Sequence, residues 1–171
     1  SRVTAAGGTT VASLNCFSGN LCSFDTMGTY TVVVADGSSG GALTSTYNIY
    51  FTRAPGANEG GGLINGGFIS DQLDIGDLDS YTFFANAGES IQIRVAETSG
   101  NFSPLITLFR PDGSRVTAAG GSTVASLNCF SGTLCSIDAA GTYTVVVADG
   151  SSGGALTGAY NIYFTRAPGA N

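Results

Sequence analysis

Apolar and polar residues alternate with a period of two along much of the chain, as they do in strands that bury one face. Between residues 142 and 149, for example, Tyr143, Val145 and Val147 share one face and Thr144 lies on the other. No segment has the 3.6-residue period of an amphipathic helix. The alternation predicts strands at Leu63–Ile69, Ser80–Ala85, Ser90–Glu97, Pro104–Arg110, Ser114–Ala119, Thr123–Asn128, Thr142–Asp149 and Ala159–Arg166.

The segments between these strands are rich in turn-forming residues. Glycine supplies 26 of the 171 residues, and the run Pro111–Gly113 is a tight hairpin signal between two predicted strands. Short strands separated by turns every ~8–12 residues are typical of two-sheet folds. The sequence therefore predicts an all-β jelly-roll or Greek-key β-sandwich.

A long segment of the chain occurs twice. Residues 1–58 recur at residues 114–171 with seven substitutions, at an offset of 113 residues, whereas residues 59–113 occur once. This pattern indicates a tandem repeat of about 113 residues. The chain has one full unit at 59–171, and the C-terminal half of another unit comes before it. The seven differing pairs are Thr9/Ser122, Asn20/Thr133, Phe24/Ile137, Thr26/Ala139, Met27/Ala140, Ser45/Gly158 and Thr46/Ala159.

The repeat sets the expected domain boundaries. We expect the C-terminal half of a preceding sandwich at 1–53, a linker at 54–62, a complete sandwich at 63–166 and a linker to the next repeat at 167–171. Half a β-domain exposes strand edges and an apolar face, and it is unstable alone. We therefore expect the missing strands to come from an earlier repeat in a longer array or from residues 59–113 of another protomer.

Composition excludes several classes of function. The chain has no His and no Lys, so Ser-His-Asp catalysis, Cys-His catalysis and His-ligated metal sites cannot occur. A formal net charge of −6 argues against nucleic acid as a partner, because phosphate binding needs clustered Lys and Arg. No window approaches the ~18 apolar residues of a membrane span. We expect a protein that is not an enzyme.

The four cysteines form two identical C-x5-C pairs, Cys16/Cys22 and Cys129/Cys135. Repeated, even-numbered spacing predicts two local disulfides and an oxidising compartment. The alternative is a zinc site, but two thiolates per unit without His cannot complete a tetrahedral ligand set.

Three segments resemble a known family. Residues 75–88 contain Gly-Asp-Leu-Asp-Ser-Tyr-Thr-Phe-Phe-Ala-Asn-Ala-Gly, which resembles the opening motif of the bacterial pre-peptidase C-terminal (PPC) domain. The likeness continues through Pro104–Gly113 and ends at Gly141–Val147, which is similar to the family's closing Gly-x-Tyr-x-Val-x-Val strand. The resemblance covers nearly all of residues 60–166. It implies a secreted, non-catalytic β-sandwich of a family in which some members bind calcium or insoluble polymers.

The sequence also contains weak signals for a calcium site and for a glycosylation site. Four carboxylates, those of Asp71, Asp74, Asp77 and Asp79, lie within nine residues and can offer oxygen ligands to a structural calcium ion. The alternative is turn chemistry, in which Asp77 and Asp79 accept backbone N–H groups. Apart from this candidate calcium, we expect no cofactor. Asn101 begins the only N-x-[ST] sequence, so it is a candidate glycosylation site or a plain surface turn.

Near-identical units without catalytic residues suit a polymer, since a fibre needs identical units to present identical contacts. We predict a structural subunit of an extracellular fibre or surface array, with copies of itself and glycans as partners. Assembly would use strand complementation or end-to-end packing of repeated sandwiches. The alternative is a secreted binding module that anchors a larger protein to polysaccharide or protein fibres through an aromatic patch of Tyr81, Tyr143, Tyr160 and Tyr163.

Overall fold

The computed structural model describes residues 4–16, 22, 24, 26–54, 56, 60–130 and 135–167. Within that part of the chain there are nine strands, and no helix there has the length and apolar character needed to cross a bilayer. The strands are β1 (Gly61–Gly62), β2 (Phe68–Leu73), β3 (Leu78–Ala85), β4 (Ser90–Gly100), β5 (Pro104–Phe109), β6 (Arg115–Gly120), β7 (Val124–Cys129), β8 (Gly141–Asp149) and β9 (Gly158–Ala167).

The strands form two sheets that pack face to face. One sheet has five strands in the order β1-β3-β8-β5-β6, and the other has four in the order β2-β9-β4-β7. β1 pairs with β3 in parallel, and the remaining pairs are antiparallel. The all-β sandwich of jelly-roll or Greek-key type that the sequence predicts is confirmed.

Aromatic side chains fill the centre of the sandwich. Phe83 on β3 lies 5.5 Å from the ring of Tyr143 on β8 and 4.8 Å from that of Phe164 on β9, measured between ring centroids. These contacts join the two sheets, because β9 belongs to the four-stranded sheet and the other two strands to the five-stranded one. Each fully buried large apolar side chain contributes roughly 1.5–3 kcal/mol relative to exposure.

One strand prediction is wrong in position. The expected strand at Leu63–Ile69 is replaced by β1 and β2, which lie in different sheets. The chain turns between them at Gly66, whose φ of 76° is in the region that favours glycine. The amide of Gly67 closes this turn on the carbonyl oxygen of Ile64 at 3.0 Å. The Asn-Gly pair at 65–66 is a turn signal that should have outweighed the apolar residues around it.

The second face of β8 is also more buried than alternation predicts. Thr144 and Val146 are buried although they face away from the core between the sheets. The backbone N–H of Gly56 donates to Thr144 Oγ1 at 3.0 Å, so Gly56 lies against this face. In the two predicted linkers, residues 55, 57–59 and 168–171 lie outside the described residues.

The pairing pattern divides the sandwich into two interdependent halves. We call residues 59–113, with β1–β5, the front half and residues 114–171, with β6–β9, the C-terminal back half. β6 pairs with β5 and β7 with β4, while β8 lies between β3 and β5 and β9 lies between β2 and β4. No two back-half strands are neighbours in either sheet. The C-terminal back half therefore has no sheet of its own without the front half.

Residues 1–58, the N-terminal back half, have almost the same sequence and a different structure. None of their described residues belongs to a strand. Ile49 is 62% exposed, whereas Ile162, its equivalent on β9, is fully buried. The two copies differ in what surrounds them, because β1–β5 already pair with the C-terminal back half.

The two isoleucines provide a matched test of this difference. We expect Ile162→Ala to lower the free energy of unfolding by about 2–5 kcal/mol, because it leaves a cavity in the core. Ile49→Ala should change it by less than about 0.5 kcal/mol, because that side chain is solvent-exposed. Denaturant unfolding of both variants followed by circular dichroism measures the difference, and equal losses would show that Ile49 is packed like its counterpart.

Candidate interaction surface

The apolar side chains of the N-terminal back half are uncovered. Tyr47 is 68% and Phe51 73% exposed, whereas their equivalents Tyr160 and Phe164 on β9 are at most 1% exposed. Each of these pairs has the same side chain in the same local sequence. We call the apolar group that is buried in one copy and open in the other the uncovered face. Its members are Tyr30, Val32, Val34, Tyr47, Ile49 and Phe51.

Local turns form in both back halves. Asp149 accepts the backbone N–H and the hydroxyl of Ser151, at 3.0 and 2.5 Å, and the backbone N–H of Leu156 at 2.9 Å. Asp36 makes the same three contacts with Ser38 and Leu43, at 2.9, 2.6 and 2.9 Å. Both loops are therefore built by contacts within eight residues. The comparison identifies strand pairing, and not turn formation, as what the N-terminal back half lacks.

A tyrosine corner, in which a tyrosine hydroxyl bonds the backbone four residues earlier, also forms in both copies. The hydroxyl of Tyr143 donates to the carbonyl oxygen of Ala139 at 2.9 Å, and that of Tyr30 donates to the carbonyl oxygen of Thr26 at 2.8 Å. The N-terminal back half thus has the local conformations of a sandwich half without its sheets.

Both predicted disulfides are present. Cys16 is bonded to Cys22 and Cys129 to Cys135, with Cα atoms 4.4 and 4.5 Å apart. Cys129 ends β7, and both cysteines of this pair are buried in the core. Two disulfides are typical of proteins outside the reducing cytosol, which indicates an extracellular or periplasmic location.

The four predicted calcium ligands are divided among two strands and the loop between them. Asp71 lies on β2 and Asp79 on β3, in different sheets, while Asp74 and Asp77 lie in the connecting loop. In the described part of the chain, no three acidic or cysteine side chains form a group that could hold a metal ion. Asp77 Oδ1 accepts the backbone N–H of Leu78 at 2.8 Å, in keeping with the turn alternative. The calcium site stays a prediction.

Two of these aspartates belong to a polar network that joins the sheets. Asp71 Oδ2 accepts the hydroxyl of Tyr81 at 2.9 Å, and Asp79 Oδ2 accepts the hydroxyl of Tyr160 at 2.5 Å. The two tyrosine oxygens lie 2.6 Å apart. Burial raises the pKa of both tyrosines well above its usual range, so both phenols stay protonated as donors. Tyr160 alone comes from the back half, so this network is a polar contact between the halves. Sequence reasoning treated its tyrosines and aspartates as separate features.

Asn101 lies at the surface in the connection between β4 and β5. Its side chain is exposed, and its backbone N–H donates to the carbonyl oxygen of Thr157 at 3.2 Å. Glycosylation at this asparagine stays a prediction.

The predicted aromatic patch is wrong. Tyr81, Tyr143 and Tyr160 are fully buried, and only Tyr163 of the four is exposed. The parity of β9 explains the error, because positions 160 and 163 lie on opposite faces of a strand. Tyr163 instead pairs with Phe68 on the outer face of the four-stranded sheet, with ring centroids 5.5 Å apart. The same outer face carries amide and hydroxyl side chains, joined by Ser70–Asn161 and Gln92–Asn128 hydrogen bonds of 2.7 Å each.

Residues 77–149 match the family model of the bacterial pre-peptidase C-terminal domain. Residues 77–149 are therefore a PPC-like region of the sandwich. The match begins at the end of the β2–β3 loop and ends with β8. PPC domains are non-catalytic domains, and no curated protein matches the chain.

Several solved structures are similar to the chain. The PPC domain of a collagenase from Bacillus anthracis is 19% identical, with a TM-score of 0.47, and the match covers 64% of this chain and 99% of that one. PliG proteins from two organisms, which are periplasmic inhibitors of g-type lysozyme, are also similar to this chain. The Aeromonas hydrophila protein is 14% identical with a TM-score of 0.44, covering 69% and 94% of the two chains. The Salmonella Typhimurium protein is 15% identical with a TM-score of 0.43, covering 62% and 96%.

Removing a single hydroxyl group tests the tyrosine–aspartate network that joins the two sheets. We expect Tyr160→Phe to lower the free energy of unfolding by about 1.5–3 kcal/mol, because it removes a buried hydrogen bond to a carboxylate. Tyr47→Phe is the matched control and should have almost no effect, since Tyr47 is exposed. The measurement is denaturant unfolding at neutral pH, and a loss as small as that of the control would contradict a structural role for the network.

The Asp149 turn predicts a dependence of stability on pH. Burial raises the pKa of Asp149, but the hydrogen bonds from Ser151, Leu156 and Ser103 outweigh it and lower that pKa overall. A depressed folded-state pKa stabilises the fold above the unfolded value of about 3.9, and this stability is lost as the pH falls through the folded value.

We therefore expect Asp149→Asn to lose less stability than the wild type between neutral pH and acid. Asp36→Asn should change the pH dependence less. Hydrogen bonds from Ser38 and Leu43 also lower the pKa of Asp36, but that carboxylate is exposed and its turn lies outside the sandwich. Thermal unfolding measured at a series of pH values compares the three proteins. Parallel curves for wild type and Asp149→Asn would contradict the expectation.

Proposed function

We propose that the protein is a non-enzymatic structural component of an extracellular fibre or surface array built from repeated β-sandwich domains. In this proposal, the N-terminal back half is completed by front-half strands of a neighbouring repeat. The single observation that carries the proposal is the contrast between the two back halves, which share their sequence but not their burial.

Strand topology explains why the missing partner must be a front half. In the C-terminal back half, β8 and β9 each lie between two front-half strands, and neither pairs with the other. The equivalent segments of the N-terminal back half thus need backbone partners on both edges, and their own neighbours in sequence cannot supply them. A set of strands like β1–β5 satisfies both edges and covers the uncovered face in the same step.

The numbers of halves limit how copies of this sequence can assemble. The 171 residues contain one front half and two back halves. When the front half of one copy completes the N-terminal back half of another, it must release its own C-terminal back half. Covering every back half therefore needs additional front halves. An array of repeats in which each back half pairs with one front half meets this requirement.

Composition supports a role without catalysis. The chain has no His and no Lys, and its four cysteines are all disulfide-bonded. The buried carboxylate of Asp79 accepts a hydrogen bond from a tyrosine inside the core, where no substrate reaches it. Disulfides fit the extracellular setting of a fibre.

A second candidate function rests on the outer face of the four-stranded sheet. Phe68 and Tyr163 are exposed there, and the same face carries the amide side chains of Asn161 on β9 and Asn128 on β7. Aromatic rings and amides together offer apolar faces and hydrogen bonds to a sugar polymer. This face favours a binding module that attaches a larger protein to polysaccharide.

Hydrogen exchange tests the structural proposal directly. In the isolated chain we expect the amides of residues 28–36 to exchange quickly and those of residues 141–149, their internal control, to exchange slowly. In assembled extracellular material that contains the protein, both segments should exchange slowly, because both are then paired in sheets. Electron microscopy of the same material should show filaments or an array with a regular domain repeat.

Two outcomes would contradict the proposal. Residues 28–36 that still exchange quickly within the assembled material would show that no strands complete them. Saturable binding to insoluble polysaccharide, lost in Phe68→Ala and found without filaments, would favour the binding module instead.

A further inference from the structure

The front half can be reached by both back halves of the same chain. Arg166, near the end of β9, donates its backbone N–H to Asn65 Oδ1 at 2.8 Å, so β9 ends next to the segment between β1 and β2. In the N-terminal back half the equivalent residue is Arg53, and seven residues separate it from Gly61. Seven residues span up to about 23 Å, which is enough for this connection. The N-terminal back half can therefore reach the positions that β6–β9 occupy, as a circular permutation of the sandwich.

The two competitors differ in seven residues and in the end by which they join the front half. A difference in how well they fit the same strands can therefore arise only at those seven positions. Six of the seven positions of the C-terminal back half that differ lie in the described part of the chain. Four of these six are exposed or half-buried. The other two, Ile137 and Gly158, are buried, and in both cases the N-terminal back half has the larger residue.

Gly158 has no room for a side chain. It begins β9 between Leu73 on β2 and Gly100 on β4. A Cβ atom at this position would clash with the backbone carbonyl oxygen of Ser99 and would lie 2.8 Å from Cδ1 of Phe102, which is fully buried. The backbone oxygen cannot rotate away as a side chain would. The N-terminal back half has Ser45 here, which adds both a Cβ atom and a hydroxyl group.

Ile137 is the second restrictive position. Its side chain belongs to the core cluster, and its carbonyl oxygen accepts the N–H of Gly88 in the turn before β4. Phe24 takes its place in the N-terminal back half. A phenyl ring in a well-packed isoleucine site overfills the core. Phe24 is instead exposed, with its ring against Tyr30 at 4.5 Å between centroids.

We propose that positions 45/158 and 24/137 are specificity-determining residues that select which back half closes on a given front half. Gly158 and Ile137 fit the front half at 59–113, whereas Ser45 and Phe24 prevent the N-terminal back half from displacing them. The inference rests on the proposed function in one respect, since it also specifies the partner. The N-terminal back half accepts front-half strands that leave more room for the side chains of residues 45 and 24 than residues 59–113 leave at positions 158 and 137.

Replacing both restrictive residues in the N-terminal back half tests the selection. The variant Phe24→Ile with Ser45→Gly changes only residues outside the sandwich, so the fold of residues 61–167 is not at risk. Each overfilled site disfavours closure roughly 5- to 150-fold. Relieving both should therefore produce a second population in which residues 28–36 are protected and residues 141–149 exchange. The matched control, Thr9→Ser with Met27→Ala, makes the N-terminal copy identical at two positions that are exposed in the C-terminal copy, and it should resemble the wild type.

The proteins are refolded from denaturant with their disulfides intact, at a concentration where the chain is monomeric, and examined by hydrogen-exchange mass spectrometry. Peptides from the two copies remain distinguishable by mass, because Thr26 and Thr46 differ from their counterparts. A reciprocal variant exchanges both restrictive pairs, with Ser45→Gly and Phe24→Ile in the N-terminal copy and Gly158→Ser and Ile137→Phe in the C-terminal copy, and should move protection from the C-terminal to the N-terminal back half.

Three results would overturn the selection. One is a relieved variant whose residues 28–36 stay as unprotected as in the wild type. Another is a control variant that gains as much protection as the relieved variant, and the third is a Gly158→Ser protein as stable as the wild type. Because the chain is monomeric here, these outcomes do not depend on filament formation. A failed selection and a failed fibre proposal are therefore distinguishable.

Discussion

Backbone hydrogen bonding between the two halves holds this sandwich together. Each strand of the C-terminal back half takes its partners from β2–β5, and the two central strands β8 and β9 have front-half strands on both edges. The arrangement makes each half a template for the other, because neither can satisfy its own backbone groups. A second copy of one half then has no place in the fold until another front half is available.

Side-chain contacts follow the same division. The aromatic stack through Phe83, Tyr143 and Phe164 and the polar contact of Tyr160 with Asp79 both cross from the front half to the C-terminal back half. Backbone pairing, core packing and the buried network are therefore satisfied together or not at all. The proposed assembly by strand addition would use this property, since completing a half would change an open apolar face into a core in one cooperative step.

Much of the fold follows from local patterns in the sequence. Alternation places Tyr143, Val145 and Val147 on one face of a strand, and all three are fully buried. The cysteine spacing predicts the disulfides correctly. Non-local pairing is harder to predict. The acidic segment 71–79 reads as one loop in the sequence, yet its ends belong to strands in different sheets, and each of those two carboxylates accepts a hydrogen bond from a tyrosine.

The duplicated segment separates what the sequence by itself determined from what the tertiary structure decided. The turns at Asp36 and Asp149 and the tyrosine corners at Tyr30 and Tyr143 form in both copies, because their hydrogen bonds join residues close in the chain. Strands and burial differ between the copies, because a strand exists only when another supplies its backbone partners. For the residues that the two copies share, neighbouring strands decide whether a segment lies in a sheet. Gly158 and Ile137, where the copies differ, are in our proposal the residues that decide which copy those strands accept.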